Sequence, residues 1–213
     1  MGKILVFGDS IVYGKWDKLG GWVARLRKFI DRKYNLKGTN NYQVYNLGIP
    51  GEVLPQLENR LAKELKLRIN SGENNLIIIA EGVNDGNPEN WSRGKTTTKK
   101  ELGKFVTSLS KLVNSHSKVV YLGLAPVNEE RLTMFSGFTS KNTLIYNQHI
   151  KRLCLKHKIP FIDVHDPLLA KGYQETIIDG VHPNSKGHEI IVKQVIDYLE
   201  SQKLIDWCNQ VNS

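Results

Sequence analysis

Ile4-Leu5-Val6-Phe7 is a run of four large apolar residues, broken at once by Gly8-Asp9-Ser10. No other stretch restricts the fold as much. A run without alternation fits a strand buried on both faces, and such strands belong to parallel sheets covered on either side by helices. Gly8 tolerates backbone angles that other residues resist. The Asp9 carboxylate can accept bonds from nearby backbone N–H groups, which favours a turn. Ser10 is therefore delivered at the carboxyl end of a central strand, the edge where ligand crevices open in α/β sheets.

The rest of the chain repeats this unit. Gly20-Gly21 opens a helix with Trp22, Val23, Leu26, Phe29 and Ile30 at helical spacing. Tyr42 to Leu47 reads as a second strand, and a helix from Pro55 places Leu57, Leu61, Leu65 and Ile69 four residues apart. Leu76 to Ala80 is a third strand of the fully buried type, followed by a helix carrying Leu102, Phe105, Val106, Leu109 and Leu112. Val119 to Leu124 is the fourth strand, Asn142 to Lys156 a helix, and Phe161 to Val164 a short fifth strand. The last helix starts near Ser185 and runs through Leu199, leaving a packed or frayed tail after Ser201. Five alternations without a repeat, linker or second composition regime predict one α/β domain over residues 1–213. Its expected form is a three-layer α/β/α sandwich around a five-stranded parallel sheet, flavodoxin-like in strand order.

Composition narrows the function classes. No apolar run approaches the roughly 20 residues needed to cross a bilayer. Met1-Gly2-Lys3 leads straight into the first strand, without the longer apolar region of a signal peptide. A cytoplasmic protein with two reduced thiols, Cys154 and Cys208, is the expectation. Cys154-Leu155-Lys156-His157 lacks a second pair of ligands, so no metal site is expected. The net charge of +9 permits attraction to anionic partners. Its cations are spread over helices, Arg25, Arg27, Lys28, Arg32 and Lys33 in one and Arg60, Lys63, Lys66 and Arg68 in another. Spread charge of this kind reads as a solvated face, and no nucleic-acid surface is expected.

Three strand ends carry small or polar clusters: Gly8-Asp9-Ser10, Asn46 to Gly51, and Gly82-Val83-Asn84-Asp85. A fourth, Asp179 to Asn184, precedes the last helix. All four fall on one edge of the sheet and together supply the parts of a serine acyl-transfer site. Serine needs a base within hydrogen-bond reach. Of six histidines, His116, His149 and His157 lie in or beside helices, and His165 and His188 have no flanking turn to fix them. His182 sits in a loop three residues after Asp179, so that carboxylate can fold back onto one ring nitrogen and leave the other facing Ser10. The Gly51 N–H, the Ser10 N–H and the Asn84 amide are candidate donors to an oxyanion, although Pro50-Gly51 and Asn84-Asp85-Gly86 also fit plain turns. Two other motifs fail. Gly8 to Lys15 has the wrong spacing for a phosphate-binding loop and ends in Trp16 instead of a hydroxyl residue. No G-x-S-x-G elbow occurs.

Gly8-Asp9-Ser10, Asn46-x-Gly48-x-x-Gly51, Gly82-x-Asn84-Asp85 and Asp179-x-x-His182-Pro183 resemble the four blocks of the SGNH (GDSL) hydrolases, in that family's order. The resemblance implies Ser10 as nucleophile, His182 as general base and Asp179 as its orienting carboxylate. It implies Ser10, Gly51 and Asn84 as the oxyanion hole, an ester substrate, and no metal or organic cofactor. Esterase, lipase, thioesterase, carbohydrate deacetylase and acyltransferase all remain open on such a site, as does a non-catalytic binding module. Trp16, Trp91, Met134, Phe135 and Phe138 could line an acyl pocket, with the tryptophans stacking on a sugar ring, or could simply anchor loops.

Overall fold

The computed structural model describes residues 2–35, 42–70, 72–87, 96–133 and 136–208. Strands β1 (Gly2–Gly8), β2 (Tyr42–Gly48), β3 (Asn75–Ala80), β4 (Ser117–Leu122) and β5 (Phe161–Ile162) form one parallel sheet in the order β2-β1-β3-β4-β5. This is the flavodoxin-like order. β1 is flanked on both sides and every one of its residues is buried, as its unbroken apolar run requires. β2 lies at the edge and is only partly covered.

The helices divide between the two faces. α2 (Gly21–Lys33) packs with α7 (Ser185–Ser201), which in turn contacts α8 (Leu204–Cys208). α3 (Leu54–Arg68), α4 (Lys99–Ser110) and α5 (Ser140–Lys156) pack in sequence on the opposite side. Right-handed crossovers impose this split, because the chain moves outward from β1 to β2 and then crosses back to β3. Two short helices, α1 (Ser10–Tyr13) and α6 (His165–Ala170), sit at strand exits.

The sequence reading differs from the structure at three places. β4 stops at Leu122, because the Leu124 N–H turns to the Asn147 side chain at 2.9 Å. β5 is two residues long and gives way to α6, whose six residues are too few to show a helical period. The tail after Ser201 contains α8, with Leu204, Ile205 and Cys208 buried. Among the described residues no helix is long and apolar enough to cross a membrane.

Candidate active site

Ser10 is the first residue of α1, directly beyond β1. Asp9 caps this helix by accepting the Ile11 N–H at 2.8 Å. The turn is tight: a Cβ on Gly8 would lie 2.2 Å from the Ala80 carbonyl oxygen and 2.4 Å from the Val12 side chain. The Asn46 amide donates to the Val12 carbonyl at 2.9 Å and ties α1 to the end of β2.

His182 arrives from the far end of the sequence. Asp179 Oδ1 accepts the backbone N–H of Val181 (3.1 Å) and of His182 (2.9 Å), so the carboxylate builds the loop it belongs to. Its other oxygen, Oδ2, lies 2.8 Å from His182 Nδ1. His182 Nε2 is 2.7 Å from Ser10 Oγ, a contact between residues 172 positions apart in the chain. All three side chains are buried. Burial opposes ionisation of Asp179, but bonds from the His182 ring and backbone, and from Trp16, hold its carboxyl well below the usual range.

Gly51 and Asn84 border the same cavity of about 120 Å³, together with Ser10, Lys15, Pro50, Phe138, Val181 and His182. Gly51 has φ of 78°, a conformation that favours glycine. The Asn84 amide donates to the Glu52 carbonyl at 2.9 Å and approaches Asp9 Oδ2 at 3.4 Å. Beneath these residues lies a set of buried carboxyls that the sequence does not announce. Burial, reinforced by Asp85 and Glu52, pushes Asp9 up to about 7 against the effect of the Ile11 N–H. Burial and the neighbouring Asp9 and Asp85 likewise raise Glu81 well above its ordinary value. Asp85 anchors the start of α3 by accepting the Leu54 N–H at 3.0 Å and also bonds the Thr97 hydroxyl. Glu52 is paired bidentately with Arg60.

Of the five proposed pocket residues, Phe138 lines the cavity. Trp16 has a different position. The residue is 55% exposed, while its Nε1–H donates to Asp179 Oδ2 at 2.7 Å. Its φ of 66° marks it as one of three non-glycine residues with left-handed backbone among those described. Asp17 locks the loop by bonding the Gly21 N–H at 2.9 Å, Arg25, and Ser185 at the start of α7. Trp91, Met134 and Phe135 lie outside the described residues. Of the remaining histidines, His188 is fully buried in α7, and burial pushes it down to about 4. His165 contacts Asp166 at 3.0 Å. Among the described residues no cluster of His, Cys, Asp and Glu could hold a metal.

Known proteins share this fold. The crystal structure of a lipase/acylhydrolase from Enterococcus faecalis matches with a TM-score of 0.74 at 22% identity, over 95% of this chain and 97% of that one. The acetylxylan esterase Axe2 from Geobacillus stearothermophilus matches with a TM-score of 0.68 at 19% identity, over 92% and 93%. A GDSL esterase/lipase of Arabidopsis thaliana is 24% identical over 220 residues, which cover 96% of this chain and 65% of the plant protein. The sequence model of the GDSL-like Lipase/Acylhydrolase family matches residues 6–190, from β1 through the His182 loop into α7, and the chain belongs to that family.

Proposed function

We propose that this protein is a serine hydrolase of short-chain carboxylic esters, working through an acyl-serine intermediate. The observation that carries this reading is the unbroken chain of contacts from Ser10 Oγ through His182 to Asp179. Ser10 attacks the ester carbonyl as His182 Nε2 takes its proton, and Asp179 fixes the tautomer and stabilises the imidazolium. The tetrahedral oxyanion is received by the Ser10 and Gly51 N–H groups and by Asn84, which gives up its long 3.4 Å approach to Asp9. His182 then protonates the leaving alcohol, and water repeats the cycle on the acyl-serine.

The cavity favours a small acyl group. About 120 Å³ is a little below the roughly 150 Å³ of an apolar cavity that takes up one benzene. Phe138 and Val181 supply apolar walls. The neighbour named as an acetylxylan esterase supports acetate esters of sugars as one substrate class. The test is a panel of p-nitrophenyl esters from acetate to decanoate, run beside acetylated xylo-oligosaccharides. Turnover should be highest for acetate and fall with chain length. Ser10→Ala should abolish turnover and fluorophosphonate labelling while keeping the wild-type melting curve. Full activity in that variant refutes the mechanism.

A further inference from the structure

The net charge of +9 is not evenly distributed. Residues 99–118 and 140–162, which cover α4, the start of β4, α5 and β5, hold ten of the thirty Lys and Arg but only one of the 21 acids, Glu101. The rest of the chain is balanced, at twenty of each sign. Of the nine cations on α2 and α3 that the sequence makes prominent, five are paired: Arg25 with Asp17, Arg27 with Asp31, Lys33 with Glu200, Arg60 with Glu52, and Arg68 with Glu64. Lys151 is paired with Asp163, and Lys118 lies over the Trp207 ring. Lys100, Lys104, Lys111, Lys141, Arg152 and Lys156 have no acidic partner among the described residues.

These unpaired cations are ordered. Lys100, Lys104 and Lys111 recur at spacings of four and seven, which puts them on one stripe of α4 and its C-terminal turn. Lys104 and Lys111 border a groove whose other wall carries Lys156 and His157 at the end of α5. Glu58 of α3 is the acid at that groove. The outward face of α5 combines Lys141 and Arg152 with exposed aliphatic side chains: Leu144 at 36%, Ile145 at 43% and Leu155 at 80% exposure. α5 begins two residues after Phe138, so this face starts beside the ester site.

We propose that the α4–α5 face docks the protein onto an anionic phospholipid surface, with the lysines and Arg152 against headgroup phosphates and Leu144, Ile145 and Leu155 at the acyl boundary. A helix lying in the bilayer interface needs cations flanking protruding aliphatics, and that is the pattern on α5. A nucleic acid would find no use for the aliphatic row. It would also find no protruding ring on α5 for bases to stack on, because Tyr146 is half-buried with its hydroxyl bonded to the Thr97 carbonyl.

Co-sedimentation of the full chain with phosphatidylcholine vesicles, with and without added phosphatidylserine, tests this. Binding should require phosphatidylserine and weaken with salt. At about five-fold per cation, Lys104→Glu/Lys111→Glu/Arg152→Glu should lower partitioning about a hundred-fold or more. Leu155→Asp should weaken binding without changing its salt dependence. The control Lys28→Glu/Arg32→Glu/Lys63→Glu, of equal charge change on α2 and α3, should bind nearly as the wild type does. Turnover of p-nitrophenyl acetate should be unchanged in all three variants, which certifies their fold. Absence of phosphatidylserine-dependent binding, equal loss in the control, or tighter binding to duplex DNA than to the vesicles overturns the proposal.

Discussion

Asp9→Asn should stabilise the protein by an amount that grows with pH. Asp9 is 2% exposed, and its ordinary value of 3.8 is raised to about 7 by burial and by the nearby Asp85 and Glu52. Glu81, Tyr173 and Tyr121 also face this carboxyl. Below pH 4 both the folded and unfolded chains hold its proton. Between about 4 and 7 the unfolded chain releases it and the folded chain does not, so stability falls as pH rises. Above 7 the folded protein carries a buried charge, and the full cost is about 4 kcal/mol at about 1.4 kcal/mol per pKa unit. Asparagine has no proton to lose, and its side-chain oxygen can still cap the Ile11 N–H. Urea unfolding of both proteins from pH 4 to 8.5 isolates this group and the part of the Glu81 titration coupled to it, because titrations elsewhere largely cancel in the difference. The gap should be near zero at pH 4 and approach about 4 kcal/mol at pH 8.5. A difference that stays flat with pH refutes the reasoning.

Two further substitutions probe the geometry. Trp16→Phe keeps an aromatic ring but removes the N–H that bonds Asp179. A hydrogen bond to a charged group is worth about 1.5–3 kcal/mol when buried, and the exposure of Trp16 reduces this, so kcat should fall about ten-fold with KM little changed. Steady-state kinetics on p-nitrophenyl acetate decide it, and an unchanged kcat would remove Trp16 from the machinery. Gly8→Ala forces a methyl against the Ala80 carbonyl and Val12, and should cost about 3 kcal/mol or more while displacing Ser10 from His182. Thermal melts and fluorophosphonate labelling report the two effects separately.

How much of this was legible in the sequence depends on whether the determinant is local. Ile4 to Phe7 and Leu76 to Ile79 announce interior parallel strands because both faces are covered. Asp179 and His182 are visible because a three-residue loop is set by its own side chain. The Trp16 bond spans 163 positions and leaves no local pattern. The buried acids also went unread, since Asp85 and Glu52 look like ordinary turn and surface residues until α3 and Arg60 are placed against them. The charge distribution was present in the sequence but obscured by its most visible lysines and arginines. Arg27, Arg60 and Arg68 each have an acid four residues away in the chain, and the α4 and α5 cations do not.

The buried carboxyls explain how so many strand ends are held together at one point. Asp9 caps the helix that presents Ser10, Asp85 secures the start of α3 and Thr97, and Glu52 fastens Arg60 against the end of β2 through the Leu47 carbonyl. Each acid fixes backbone beside Ser10, Asn84 or Gly51, where a displacement of an ångström costs far more in rate than in stability. The arrangement has an electrostatic consequence. Every negative charge below Asn84 works against the oxyanion that Asn84 is proposed to receive. Burial keeps Asp9 neutral below about pH 7 and disfavours a charge on Glu81, and Arg60 offsets Glu52. The same burial that makes the carboxyls costly to ionise therefore preserves the polarity an acyl-transfer site requires, and stability and reactivity at this edge of the sheet are set by the same protons.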